Sequence, residues 1–338
     1  MRKSASQGGL PRRGLGAMAL AATALAAGFR PAHAAAYPDR AISVVVPFAP
    51  GGATDLAGRL LADRIGPLLG GDGRALVENR PGAGSSLGAD YVRRAKPDGY
   101  TLLVGSASTL AVAPAAQPNI AKYHPVEDFT PIAIIGTSAM GLVVPAASGI
   151  KSVPQLIARL KEKQGADGFA SSGVGGVSHL ASELFVKLAS APANHIPYRG
   201  GSSVAEALLK QEVIFAIDQI ASIVGQIRDG ALTLLAVTTE TRDANFPDVP
   251  TLAEAGVPGY ALSTWTAMVG PKGLPPEVAA ALNKAVNAAL SEPALRERLS
   301  SSGTDPRNDS TLESAAAFLG QEFNRFKAVV ERTGLKLD

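Results

Sequence analysis

Four glycine-rich turns hold the residues of this chain best suited to binding chemistry. In "VVVPFAPGGATDLAGRLLADRI" an apolar run ends at Phe48 and Ala49, Gly51 and Gly52 follow, and a helical pattern starts at once with Thr54 and Asp55. Glycines let a backbone turn sharply and let a ligand approach closely, because they carry no Cβ. Thr54 is placed to cap the helix. The free N–H groups of a first helical turn, with the helix dipole, favour a carboxylate or a phosphate. A tight strand-to-helix turn without a ligand is the alternative. A nucleotide loop is disfavoured, since there is no G-x-x-x-x-G-K-[ST] and no basic side chain follows the glycines.

The same arrangement recurs. "VGSAST" contains Ser106. "FASSGVGGVSHLASELF" contains Ser172, Gly173, Gly175, Gly176, Ser178 and His179. "PYRGGSSVAEALL" contains Tyr198, Arg199 and Gly200. Arg199 either pairs with a ligand carboxylate or is solvated surface charge. His179, on a first helical turn, is placed to orient its glycine loop through hydrogen bonds. Asp218 ends the run "VIFAI" and either caps the next helix or faces a crevice. Four such turns at strand ends point to a ligand crevice at the carboxyl edge of α/β sheets.

Other chemistries find little support. The chain has no cysteine, which excludes disulfides, thiolate metal sites and a cysteine nucleophile. His124, His179 and His195 show no metal-ligand spacing. "GSSLG" matches a G-x-S-x-G nucleophile elbow around Ser86, but "RPGAG" separates it from the preceding strand "ALVEN", where an elbow needs its serine.

The elements that must hold these turns alternate. Strand candidates are "AISVVVPF", "ALVEN", "YTLLVGS", "PIAIIG", "GLVVP", "GFAS", "HIPY", "VIFAI" and "LTLLAV", with helical patterns between them. Alternation predicts βα units and largely parallel sheets, and the continuously apolar runs predict strands covered on both faces. After Leu274 only helices are expected. The last opens with Ser310 and Glu313 in capping-box spacing and carries a stripe of Leu312, Leu319, Phe323, Phe326 and Val330.

Residues 1–34 read as an export signal: a basic start, an apolar run from Gly14 to Phe29, and the small-residue site Ala32-His33-Ala34. Arg12-Arg13 leaves Sec and twin-arginine routes both open. Without this segment 27 basic groups face 29 acidic ones, a net charge near −2 in place of +3. The basic balance belongs to the signal, so it argues for neither nucleic-acid nor membrane partners.

These segments, in order, make a pattern. "PFAPGGATD", "VENRPGAGSSLGADYVRRAKPDGYTLL", "YHPVEDFTPIAII", "SSGVGGVSHLA", "HIPYRGG", "RDGALTLLAVTTETRDANFPDVPTLAEAGVPGY" and "GPKGLPPEVAAALN" run from Tyr37 nearly to the C-terminus. The chain resembles the Bug family, the TctC-like substrate-binding proteins of tripartite tricarboxylate transporters. The resemblance implies an α/β, two-lobed periplasmic binding protein, type II-like. Each lobe would be a mainly parallel sheet flanked by helices. Residues 35–137 with 262–338 would form one lobe and 138–261 the other, hinged by crossovers near 134–144 and 259–269. The loop from Phe48 to Asp55 would meet the ligand from one lobe and the loop from Ser171 to His179 from the other. The implied function is periplasmic capture of a small organic acid by a monomer and its delivery to permease subunits, with no cofactor, metal or bond chemistry. A secreted serine hydrolase using Ser86 and a ligand sensor presenting its closed form to a receptor are the rivals. Three departures stand out. Gly175-Gly176 replaces a frequent Gly-Ser, which removes a hydroxyl there. "LLKQEVIFAID" lacks the glycine usual before its strand, and Ser85 stands where glycine is common.

Overall fold

The computed structural model describes residues 1, 4, 37–70 and 73–334. The expected export signal therefore lies outside the described residues, apart from positions 1 and 4. A compact unit begins at Tyr37.

The chain builds two sheets. The first contains β1 (Ile42–Val46), β2 (Ala75–Asn79), β3 (Thr101–Ser106), β4 (Phe129–Ser138), β10 (Thr264–Pro271) and β11 (Thr304–Pro306), in the order β11-β4-β10-β3-β1-β2. The second contains β5 (Met140–Pro145), β6 (Gly168–Ser171), β7 (Asn194–Pro197), β8 (Phe215–Gln219) and β9 (Leu232–Val237), in the order β7-β6-β8-β5-β9. The chain crosses between them at Ala139 and returns through residues 238–263. Helices α1 (Ala53–Leu69), α2 (Ser86–Arg93), α3 (Ala113–Ala116), α4 (Val153–Lys163), α5 (Val177–Ala189), α6 (Gly201–Leu209) and α7 (Ile220–Arg228) connect the strands. Helices α8 (Pro276–Ser291), α9 (Pro293–Ser301) and α10 (Leu312–Thr333) follow the return.

The architecture is the expected α/β pair: most strands of each sheet run the same way, and a minority oppose them. The βα units pair in parallel, β1 with β2 and β3, and β6 with β7 and β8. The crossing strands oppose them: β10 is antiparallel to β3 and β4, and β5 is antiparallel to β8 and β9. A strand that enters a sheet from its neighbour, without a helix to bring it back, runs against the βα strands.

Burial explains the uninterrupted apolar runs. Val44, Val46, Leu102 and Val104 pack with α1 and α8 residues on one face, while Val45 and Leu103 face the other way. That second core also holds Ile134 and Ala267 of the first sheet with Leu142, Phe169, Phe215 and Leu235 of the second. Alternate residues thus serve two apolar layers, and neither face of the strand is left to water.

The last helix starts differently from the expectation. Thr311, not Ser310, is its N-cap, and the capping box closes on Ser314, not Glu313. Ser310 is buried instead, with its Oγ accepting the Ile134 N–H at 3.1 Å. The Ser310 hydroxyl is turned toward the strand, away from the helix start. The predicted stripe is partly buried: Leu319, Phe326 and Val330 enter the core, and Phe323 meets His124 edge-on at 4.7 Å between ring centroids.

Candidate functional site

A cleft opens where the glycine turns of the two sheets meet. Phe48, Ala49, Gly52 and Thr54 line it from the first sheet. Ser172, Arg199, Gly200 and Asp218 line it from the second. Sequence reasoning missed six further lining residues. Ala53 and Gly201 are the first residues of α1 and α6, and Ser202 follows Gly201. Ser108, Gln219 and Ser222 complete the wall. Ser222 lies on the first turn of α7.

Two helix N-termini are presented to this cleft. α1 is preceded by Gly52 and α6 by Gly200, and neither receives a side-chain cap. Their leading N–H groups therefore remain available to an anion. The expected Thr54 cap does not form, because the helix starts two residues earlier than that cap requires, at Ala53 with Gly52 as N-cap. Gly51 takes φ +93° and Gly200 φ +100°, left-handed values that glycine adopts without strain. Gly52 has an ordinary φ of −85°, so its absence of a side chain serves space, not conformation.

Asp55 has turned inward to hold the first loop. Its carboxylate accepts from Gly51 N–H at 2.9 Å, Arg59 Nε at 3.0 Å and Asn79 Nδ2 at 2.8 Å. Asn79 also reaches the Phe48 carbonyl at 3.0 Å. Burial alone would raise the Asp55 pKa, but these hydrogen bonds outweigh it and hold the carboxyl below its usual range.

The second loop is held by its own polar groups and by the first sheet's side. Ser178 Oγ accepts the Ser172 N–H at 2.8 Å, and the two hydroxyls lie 2.9 Å apart. His179 Nδ1 accepts the Gly175 N–H at 3.3 Å, so this histidine does orient the glycine loop. Its ring stacks on His195 at 3.6 Å between centroids. Gly175 has φ +72°, and a Cβ there would come within 2.7 Å of the Gln117 side chain. The N-cap of α5, Gly176, offers no side chain, yet the Val177 N–H is satisfied: Ser108 Oγ accepts it at 2.9 Å. Thus a hydroxyl from the loop after β3 serves the helix whose own loop lacks one.

The remaining predicted residues do not line the cleft. Ser106 is fully buried within β3. The chain then winds into a π-helical turn, Ser108–Val112, and this carries Ser108 rather than Ser106 to the cleft. Tyr198 packs against the core under the second sheet and donates its hydroxyl to Glu212 at 3.0 Å. Gly51, Gly173, Gly175, Gly176, Ser178 and His179 shape the loops without lining the cleft.

Asp218 faces the cleft and does not cap α7 in the usual way. One carboxylate oxygen accepts the Gln219 N–H at 2.7 Å, next door in the chain. The other is buried without a partner among the described residues. Burial pushes its pKa up to about 7, partly opposed by the Gln219 N–H. Among the described residues Arg199 and Asp218 are the only ionisable side chains on the wall.

The nucleophile-elbow match at Ser86 does not form an elbow. Ser86 is 3 % exposed and opens α2 after the turn Ala83–Ser85, not at the end of a strand. Among the described residues no group of three His, Asp or Glu side chains is placed to hold a metal, and no helix is long and apolar enough to cross a membrane.

Comparison with known proteins gives the family and the fold. The model of the tripartite tricarboxylate transporter family receptor matches residues 59–335. Protein BugT of Bordetella pertussis is 37% identical over 308 residues, 91% of this chain and 93% of that one. The structure of periplasmic binding protein BugD superposes with a TM-score of 0.84 at 31% identity, covering 89% of this chain and 99% of BugD. MatC from Rhodopseudomonas palustris, with bound malate, gives a TM-score of 0.82 at 33% identity, covering 87% of this chain and all of that one.

Proposed function

The chain belongs to the tripartite tricarboxylate transporter receptor family, and from that premise we propose that it captures a small carboxylate in the cleft and delivers it to the membrane permease of a tripartite transporter. Its relatives of known structure are periplasmic binding proteins, not enzymes. One observation carries the ligand reading. The uncapped N-termini of α1 and α6 line the same cleft from opposite sheets, beside Arg199. Backbone N–H groups, helix dipoles and a guanidinium together favour an anion, and a planar carboxylate suits the fork of an arginine. The malate held by MatC supports a small organic acid.

In this reading Phe48, Ala49, Gly52 and Thr54 contact the ligand from a lobe of residues 35–137 and 262–338. Ser172, Arg199, Gly200 and Asp218 contact it from a lobe of residues 138–261. Contacts from both sides make the closed arrangement the one a ligand stabilises. The basic, apolar, A-x-A order of residues 1–34 supports export to the periplasm and removal of that segment.

Thermal unfolding against a panel of small mono-, di- and tricarboxylates tests the proposal. A ligand at about 100 times its Kd adds roughly 2.7 kcal/mol to the folded state, so at least one acid raises the melting temperature by several degrees. A panel without any such rise removes the carboxylate reading.

A further inference from the structure

The free Asp218 oxygen identifies what else the ligand must bring. Asp218 ends β8, is 2 % exposed and faces the cleft. Its Oδ2 has no hydrogen-bond partner among the described residues. It lies at the N-terminus of α6, where a Cβ on Gly201 would stand 3.6 Å from that oxygen. An ionised carboxylate only accepts hydrogen bonds. A buried acceptor left unmatched costs free energy, so such groups are normally paired. The carboxylate-binding groups around it, Arg199 and the helix N–H groups, are all donors and serve an anion.

The wall therefore combines a donor-rich anion subsite with one unmatched acceptor. Resting on the carboxylate reading above, we propose that the ligand carries a hydroxyl or ammonium group beside its carboxylate and that Asp218 accepts the hydrogen bond from it. The substrate class is then a 2-hydroxy or 2-amino acid. Arg199 is the other ionisable group that the described residues place on this wall. Burial opposes ionisation and places the titration near neutrality, so a donor arriving with the ligand shifts the balance toward the carboxylate. The competing arrangement is a protonated Asp218 that donates to the second carboxylate of an unsubstituted di-acid.

Calorimetric titration of the signal-free chain at pH 7.5 with two matched series decides this. One series is succinate, malate and aspartate; the other is glutarate, 2-hydroxyglutarate and glutamate. In at least one series the hydroxy or amino member binds at least tenfold tighter than the unsubstituted acid. Which of the two wins distinguishes a hydroxyl from an ammonium. Asp218→Asn, which keeps the shape and loses the charge, reduces that ratio to below threefold. Equal affinities within both series, or a ratio untouched in folded D218N, overturn the inference and leave the carboxylate reading standing. Unsubstituted acids that bind more tightly at pH 5.5 than at pH 8 overturn it in favour of the protonated donor. Absence of binding by every carboxylate in the wider panel overturns both readings. Should D218N fail to fold, the wild-type ratios alone decide.

Discussion

The Ser108 hydroxyl accepts the backbone N–H of Val177 at 2.9 Å, although the two residues are 69 positions apart and belong to the opposite sides of the cleft. Val177 opens α5 behind Gly176, which has no side chain to offer. Ser108 therefore does from a distance what an N-cap does locally. Both residues are buried.

Ser108→Ala leaves that N–H unmatched. Loss of a cap costs about 1 kcal/mol, and a buried unsatisfied donor about 1–3 kcal/mol. Urea unfolding should show a stability loss of about 1–2 kcal/mol, with Ser108→Thr recovering part of it. A fully stable S108A protein contradicts the capping role.

The glycines of the two loops should respond differently to the same substitution. Gly52 has an ordinary φ and no atom within 4 Å of a built Cβ. Gly52→Val should fold, lose at most about 1 kcal/mol as a poorer N-cap, and fail to hold ligand because its isopropyl group fills the cleft. Gly175→Val meets a positive φ and the Gln117 side chain, so several kcal/mol of stability should go. Circular dichroism melts of the pair check this, and equal stability of the two variants would refute the distinction.

Asp218 gives the ligand-free protein an unusual pH dependence. Its folded pKa of about 7 lies above the ordinary 3.8. The folded state thus binds the proton more tightly, so the contribution is fully present below about pH 4 and is lost as pH rises to 7. A shift of this size corresponds to a few kcal/mol at most, at about 1.4 kcal/mol per unit. Asp218→Asn should remove it. The stability difference, D218N minus wild type, should therefore grow from pH 4 to pH 8, and a flat difference contradicts the assignment.

His195 acts in the opposite sense. Burial, then the neighbouring His179, pushes its pKa down to about 4. Its unfolded form therefore binds the proton more tightly, and stability falls as pH drops from about 6.5 toward 4. His195→Gln should flatten the acid limb of the melting curve between those values. An unchanged limb shows that other groups govern it.

Much of this was legible in the residues, and the exceptions have physical causes. Apolar runs and glycine turns marked the strands and the loops because burial on two faces and positive φ leave direct compositional traces. The opposed direction of the crossing strands β5 and β10 was not legible, since it depends on where the chain crosses at Ala139 and after Val237, not on any strand's own sequence. Ser108 was missed in favour of Ser106 because a π-helical turn changes the direction of the chain within two residues. Tyr198 was placed near the ligand because it neighbours Arg199, but its ring packs, partly buried, against the core under the sheet. Asp218 was left open between cap and crevice. Only the tertiary structure shows one of its oxygens without a partner.

The central claim is that one ligand is held from both sides of the cleft. Titration calorimetry with the tightest-binding carboxylate, on wild type, Gly52→Val and Arg199→Ala, tests it most directly. Gly52 and Arg199 lie on opposite walls. Each variant should stay folded and bind at least tenfold more weakly than wild type. Wild-type affinity in either folded variant would contradict the account, because the ligand would then be held from one side alone.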